Sequence, residues 1–428
     1  MKAPAAEPAG VVARASSTRW FRVLAGAGAL AVAVSYLFNP TMYRIDLEVY
    51  RAGGRAWLDG AALYANAFPT QIGSPLKFTY PPISAVLLSP LAWMPLNVAN
   101  AVWAVLTLGL LIATLVVFAP VSGLAWGSIA WWWVLVAAFA VTARLEPVRS
   151  TMGYGQINVL LMALVAADCL LVRTRWPRGA VVGAVAAVKL TPAVFVLYFL
   201  IRRDYRAAVT SAVSGALVTA LGFALAPADS VTYWSGAVTD TGRIGSLAYA
   251  SNQNLQAVIA RSGLVGTKAT VLWLICALGV LALGCFAMRQ AHRAGLAALV
   301  LVLNATVGLL ISPVSWSHHW VWAMPALLVL GALVATTGSR AAGALVAVGL
   351  MIFAVAPHWR LPNDTTSGVE LSWVWWQQVV GNSYVWWGLA LLAVCARTAH
   401  RWGPPVPGDV DGGAVAVPTG AAAGTPRA

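Results

Sequence analysis

The chain has 428 residues, of which 60% are hydrophobic and only 9% are charged. A soluble domain carries about a quarter charged residues, so this composition excludes an ordinary soluble protein and favours a chain surrounded largely by lipid. The formal net charge is +14, but most of the excess is arginine in short connections between apolar segments. That pattern orients membrane proteins and argues against nucleic-acid binding.

In lipid, only helices and closed barrels satisfy their backbone hydrogen bonds, and the alternating strands of a barrel are not seen. The sequence therefore predicts an all-α, polytopic transmembrane bundle of about 11–13 spans, since a span needs about 20 residues. We expect it to occupy residues 20–402, between disordered cytoplasmic ends at 1–19 and 403–428. The apolar segments are Val23–Phe38, Pro82–Pro95, Val98–Phe118, Leu124–Thr142, Ile157–Val172, Gly179–Ile201, Ala207–Ala226, Ala269–Met288, Ala294–Ile311, Val321–Ala335, Ala341–Ala356 and Tyr384–Arg397.

The segment after the first span has the spacing of an amphipathic helix that begins at Asp46 and ends near Gly60. Leu47 and Tyr50 fall on its apolar face, and charged residues fall on the opposite face. Such a helix can lie in the membrane interface, here on the outer side. Asp46 is then either the cap of this helix or a carboxylate that accepts a proton from an attacking sugar hydroxyl, and spacing alone favours the cap.

Polar residues also stand at the starts of the next apolar segments. The two prolines of Phe78–Pro82 predict a helix start. Arg149 could pair with a phosphate, while Gln156 and Asn158 suit sugar hydroxyls. The alternative is an ordinary loop between spans, because arginine often marks such loops.

Lys189 lies in the middle of the apolar segment Gly179–Ile201, where a charge is costly unless it is compensated. Together with Pro192 it predicts two short helices that meet at a break lining a cavity. A lipid phosphate is a suitable partner for this lysine. The alternative is a lysine whose ammonium reaches the interface along its own side chain.

Two polar clusters follow on the predicted outer side. The amides of Asn252, Gln253 and Asn254 can both donate to and accept from a sugar, although amides also form turns and caps. His318 and His319 are adjacent, so they point in different directions and do not chelate one metal as an i, i+4 pair would. We expect one to touch phosphate and the other to pack.

Arginine-rich turns at 202–206, 289–293 and 397–401 indicate the cytoplasmic side. Counting spans between them places residues 227–268, 312–319 and 357–383 outside. The chain lacks both the phosphate-binding loop and the dinucleotide fingerprint, which disfavours an ATP-driven pump or a nucleotide-sugar enzyme.

Several of these motifs together resemble those of the actinobacterial polyprenyl-phosphate-mannose-dependent mannosyltransferases, which form glycosyltransferase family 87 and have the multi-span GT-C architecture. The motifs that carry the resemblance are Ile45–Gly54 with Gly60 and Leu63–Tyr64, Phe78–Pro82, Gly155–Asn158, Val188–Pro192, Asn252–Asn254 and Ser312–His319.

The resemblance implies an inverting transfer of mannose from polyprenyl-phosphate-mannose to a glycolipid or lipoglycan, such as a phosphatidylinositol mannoside, lipomannan or lipoarabinomannan, through an α-1,2 linkage. It implies that Asp46 is the general base and that no cofactor or metal is needed, because the donor is already activated. It further implies a multi-pass plasma-membrane protein with its site on the extracytoplasmic side. The donor- or acceptor-binding candidates are then Tyr80, Arg149, Gln156, Asn158, Lys189, Asn252, Gln253, Asn254, His318 and His319.

Two other classes of function stay open at this stage. A lipid or sugar transporter or flippase would also use broken helices and an intramembrane lysine, but it predicts internal repeats that are not seen. A non-catalytic membrane scaffold predicts no dependence on Asp46.

Overall fold

The computed structural model describes residues 14, 16–38, 44–73 and 75–403, and the predicted disordered ends lie almost entirely outside these residues. The described chain is helical, with a single two-stranded hairpin, so the predicted all-α class is confirmed. The helices are α1 Arg19–Phe38, α2 Ile45–Leu58, α3 Pro82–Leu88, α4 Leu96–Phe118, α5 Ile129–Thr142, α6 Glu146–Tyr154, α7 Asn158–Leu170, α8 Ala180–Val188, α9 Val196–Ile201, α10 Tyr205–Leu225, α11 Pro227–Thr232, α12 Leu255–Arg261, α13 Gly266–Arg293, α14 Ala297–Ile311, α15 Ala323–Thr337, α16 Arg340–Val355, α17 Trp375–Gly381 and α18 Ser383–Thr398. The hairpin consists of β1 Ala67–Phe68 and β2 Leu76–Lys77.

The described residues include five helices that are long and apolar enough to cross a membrane, or seven if each of two bent helix pairs counts as one span. Five more apolar helices are shorter, at 10–17 residues. A helix of this length crosses only part of a bilayer, because a full span needs about 20 residues. The longer apolar helices confirm a polytopic helical membrane protein, as in the GT-C architecture.

The segment 180–201 is broken where the sequence predicts it. Helix α8 ends at Val188, Lys189 has extended backbone angles, and a short 3-10 turn at Thr191–Phe195 leads into α9. The start of α8 is held by Asp168 on α7, whose carboxylate accepts hydrogen bonds from the backbone amides of Gly179 and Val182 at 3.0 and 2.9 Å. The residues of the break, from Lys189 to Pro192, line a cavity, which is where irregular backbone is tolerated in a membrane protein.

Helix α8 packs very closely on α10, because small residues face each other there. A Cβ atom added at Gly183 would lie 2.0 Å from the backbone oxygen of Ser211, and Gly215 is also in contact. This close approach sets the distance between the two helices and hence the place where Lys189 emerges from α8.

Helix α2 begins at Ile45, with Arg44 rather than Asp46 at the cap position, so the cap interpretation of Asp46 is wrong. The predicted amphipathic helix itself is confirmed: Leu47 and Tyr50 are buried, and Gly60 follows its end with φ +69°. Helix α2 lies against the turn after α6, where a Cβ added to Gly155, which has φ +70°, would sit 2.9 Å from the Cβ atoms of Arg44 and Leu47.

Candidate active site

A cavity of about 490 Å³ opens between α2, the segment before α3, the α8–α9 break and the turn before α15. It brings together residues that are up to about 270 positions apart in the chain. Its polar end is formed by six of the predicted site residues, Asp46, Tyr80, Gln156, Asn158, Lys189 and His319.

Lys189 is the centre of this polar end. Its Nζ donates to Asn158 Oδ1 at 2.9 Å and to the Tyr80 hydroxyl at 3.4 Å, and it lies 3.5 Å from His319 Nε2. The ammonium also stands 5.1 Å from the centre of the Tyr80 ring, within the range of a cation–π contact. The lysine is 9% exposed. Its hydrogen-bond partners among the described residues are neutral, and the charge of Asp46 acts on it without a hydrogen bond.

Tyr80 and Gln156 connect the lysine to Asp46. The hydroxyls of Tyr50 and Tyr80 are 2.9 Å apart, and each lies 3.2 Å from Gln156 Oε1. Gln156 in turn hydrogen-bonds the Asp46 side chain. This network orients the carboxylate and the lysine within one enclosure.

Asp46 lies in the first turn of α2 and is half-buried. Burial raises the pKa of its carboxyl from 3.8 to about 6, although the hydrogen bond with Gln156 and the charge of Lys189 lower that pKa. Asp46 is therefore still mostly ionised at neutral pH, and it is a stronger proton acceptor than an exposed aspartate.

The two adjacent histidines have different surroundings. His319 lines the cavity and approaches Lys189, whereas His318 does not line it and its two ring nitrogens have no hydrogen-bond partner. The His318 ring packs edge-on against Tyr154 at 5.3 Å, and its backbone oxygen accepts from Thr151 and Asn158 at 2.8 and 3.1 Å. His319 thus faces the cavity, and His318 packs outside it.

The rest of the cavity is divided between an apolar wall and a second cationic end. The apolar wall is made of helix and turn residues, among them Leu161, Met162, Val165, Val194, Phe195 and Leu309. The cationic end carries Arg243, and Lys77 also lines the cavity. Arg243 donates to the backbone oxygen of Tyr64 at 3.1 Å and lies 5.7 Å from the centre of that ring, while the Tyr64 hydroxyl donates to the backbone oxygen of Tyr80 at 2.7 Å.

The family model of glycosyltransferase family 87 matches residues 78–313, more than half of the chain. The chain belongs to glycosyltransferase family 87. It is 45% identical over 390 residues to a polyprenol-phosphate-mannose-dependent alpha-(1-2)-phosphatidylinositol mannoside mannosyltransferase of Mycobacterium tuberculosis, a match that covers 88% of this chain and 90% of the relative.

A Mycolicibacterium smegmatis protein of the same description is 44% identical over 397 residues, which cover 88% of both chains. A Mycobacterium tuberculosis polyprenol-phosphate-mannose-dependent alpha-(1-2)-phosphatidylinositol pentamannoside mannosyltransferase is 31% identical over 86% of this chain and 84% of its own. No solved structure matches the chain.

Not all of the predicted site residues of this family 87 glycosyltransferase reach the cavity. Arg149 is exposed on α6 and does not line it. Of the two cationic residues that the sequence analysis suggests for a phosphate, only Lys189 lines the cavity. Among the residues that the structure describes, no three His, Cys, Asp or Glu side chains form a group that could hold a metal ion.

The amide cluster also lies outside the cavity, fully buried. Asn252 Oδ1 accepts from the backbone amide of Ser315 at 2.9 Å, and Asn254 Nδ2 donates to the backbone oxygen of Ser312 at 2.6 Å. The indole Nε1 of Trp320 donates a hydrogen bond to the backbone oxygen of Gln253 at 3.0 Å. The three residues hold the segment from Ser312 to Trp320, which forms one side of the cavity, rather than facing a sugar.

Sequence reasoning missed the importance of Glu146, which is completely buried at the start of α6. Its carboxylate accepts hydrogen bonds from Ser317 and Trp359 at 2.8 and 2.9 Å and from Tyr384 at 2.7 Å. The sequence does show a glutamate directly before a proline, between two apolar segments. Its role could not be recognised there, because these donors lie 171 to 238 residues away in the chain.

Proposed function

We propose that the protein transfers mannose from polyprenyl-phosphate-mannose to a phosphatidylinositol mannoside or a related lipoglycan, forming an α-1,2 linkage with inversion at the sugar carbon. The observation that carries the proposal is the cavity in which one carboxylate, Asp46, faces one buried ammonium, Lys189. The three relatives described above are named transferases with this donor, so the transporter alternative gains no support from them.

The chemistry needs one base and one cationic group. An acceptor hydroxyl attacks C1 of the donor mannose, the bond from C1 to the phosphate oxygen breaks, and its electron pair leaves with polyprenyl phosphate. The hydroxyl proton passes to Asp46, whose pKa of about 6 suits a base that works near neutral pH. Lys189 and His319 offset the negative charge that develops on the leaving phosphate.

The shape of the cavity agrees with a donor that is half lipid and half sugar phosphate. Its polar end accommodates mannose and phosphate beside Asp46 and Lys189, and its apolar wall suits the first isoprene units. Burying these units against Leu161, Val165 and Phe195 would contribute about 25 cal/mol for each Å² removed from water.

The second cationic end supports a phosphate-bearing acceptor. Donor and acceptor each bring one phosphodiester, and two anions in one low-dielectric cavity repel each other strongly. Lys189 compensates one of them. Arg243 is connected to Lys189 through the hydrogen-bonded residues Tyr64 and Tyr80, and Lys77 also lines the cavity. We assign the acceptor phosphate to that end.

We place the reaction on the extracytoplasmic side of the plasma membrane. The arginine-rich turns at 202–206, 289–293 and 397–401 support a cytoplasmic location for the opposite ends of the helices. The cavity, by contrast, is lined by residues of α2 and by residues 233–244 and 312–319, segments that the same orientation puts outside.

The deciding experiment uses the purified full chain in detergent or nanodiscs, with radiolabelled polyprenyl-phosphate-mannose and a phosphatidylinositol mannoside. Transfer of label by the wild-type protein, with none by Asp46→Asn, supports the assignment. Movement of intact donor across a liposome membrane without transfer would instead establish a flippase.

A further inference from the structure

The carboxylate of Glu146 joins four separate parts of the molecule. Besides Ser150 on its own helix, at 2.6 Å, it binds Ser317 before α15, Trp359 in the turn after α16, and Tyr384 on α18. The residue is 0% exposed. Four neutral donors converge on one buried anion.

Such an arrangement is costly to build, because a buried charge loses its hydration, and an apolar side chain of the same volume would often stabilise a fold at least as well. What a carboxylate supplies in addition is direction, since each oxygen fixes the positions of its donors. The most informative donor is Ser317, two residues before the cavity-lining His319.

Helix α6 holds the turn around His319 at two points. Glu146 binds the Ser317 hydroxyl, and Thr151, one and a half turns further along α6, donates to the backbone oxygen of His318 at 2.8 Å. The next amide, that of His319, donates to the backbone oxygen of Trp316 at 2.7 Å. The ring of His319 leaves this fixed turn and reaches Lys189 at 3.5 Å.

We propose that Glu146 is a positioning residue, which holds the Ser317–Trp322 turn so that His319 meets Lys189 at the site of the departing phosphate. The proposal rests on the proposed function, because that function assigns the phosphate to Lys189 and His319. Glu146 itself does not line the cavity.

The test compares two donors to the same carboxylate. Ser317→Ala removes the bond that leads directly to the turn around His319. Tyr384→Phe removes a bond of similar length, 2.8 against 2.7 Å, to α18 and keeps the aromatic ring that packs against Trp320. For the full-length variants we would measure the thermal unfolding midpoint, kcat and KM for transfer, and the affinity for polyprenyl phosphate in detergent micelles.

We expect both variants to lower the unfolding midpoint. Only Ser317→Ala should reduce kcat/KM and polyprenyl phosphate affinity, by about tenfold to a hundredfold, which is the effect of a displacement near 1 Å at a reacting centre. Glu146→Gln, which keeps the oxygen that accepts three of the four bonds, should retain most of the activity that Glu146→Ala loses.

Adding Ser317→Ala to His319→Ala should cause no further loss, because both changes act through the same imidazole. The proposal would be overturned if Ser317→Ala and Tyr384→Phe had equal effects on kcat/KM and on polyprenyl phosphate affinity. It would also be overturned if the losses caused by Ser317→Ala and His319→Ala were fully additive in the double variant. The measurement of polyprenyl phosphate binding needs no turnover, so it decides the role of Glu146 independently of catalysis. If the wild-type protein transferred no mannose, that result would refute only the proposed function.

Discussion

Replacing Lys189 by alanine should weaken binding of the donor more than binding of the acceptor. In the cavity its Nζ has Asn158, Tyr80 and His319 as neighbours, at 2.9, 3.4 and 3.5 Å, and all three are neutral partners for a cation. A phosphate placed there would supply the compensating negative charge. A hydrogen bond between charged groups contributes about 1.5–3 kcal/mol, so donor affinity should fall about tenfold to a hundredfold.

The assay is steady-state transfer with donor varied at saturating acceptor, then acceptor varied at saturating donor. Lys189→Arg should recover only part of the donor affinity, because the planar guanidinium needs more room than the ammonium beside the Tyr80 ring. Lys268→Ala is the matched control, since Lys268 is exposed in the first turn of α13 and does not line the cavity. If Lys189→Ala changed only the acceptor KM, the assignment of this lysine to the donor phosphate would be wrong.

Three further predictions follow from the same geometry. Asp46→Asn should lower kcat by about a hundredfold to ten-thousandfold, as expected for loss of a general base. The wild-type kcat/KM should rise as pH increases through about 6, because Asp46 must lose its proton to act. If the Asn variant showed the same rise in kcat/KM with pH, Asp46 would not be the titrating group. Arg243→Gln should raise the acceptor KM and leave the donor KM unchanged in the same two-substrate kinetics, and the opposite split would exchange the two ends of the cavity. The orientation can be tested in a chain whose native cysteines are replaced by alanine. An impermeant thiol reagent applied to intact cells should label the exposed position in Ser246→Cys and should not label Arg206→Cys. The reverse labelling pattern would put the site in the cytoplasm.

The helices were largely predictable because hydropathy in a membrane protein depends on each segment's own residues. The predicted segment Val98–Phe118 corresponds to α4, Leu96–Phe118, and Ala207–Ala226 corresponds to α10, Tyr205–Leu225. The break at Lys189 was also predictable, because a charge and a proline within one apolar segment are local signals. Short helices such as α17 were missed, since a seven-residue element has too little periodicity to be recognised.

The candidate site was only partly predictable. Residue type identified Asp46 and Lys189 as unusual, but it could not distinguish His319 from His318, because their difference comes from which ring faces Lys189 after folding. The amides at 252–254 have the composition of a sugar site. Asn252 and Asn254 instead hydrogen-bond the backbone of Ser315 and Ser312, and the Gln253 side chain donates to the backbone of Ala250 and Gly381. Such long-range pairings depend on the packing of the helices, which composition and spacing do not encode locally.

The close contact between α8 and α10 makes the position of Lys189 depend on Gly183, a residue without a side chain. Lys189 immediately follows α8, and the backbone oxygen of Ser211 leaves no room for even one added carbon at Gly183. A methyl group there would push α8 outward and carry the ammonium away from Asn158 and Tyr80. The position of the Lys189 ammonium thus depends on the absence of a side chain at Gly183, about two turns earlier in α8.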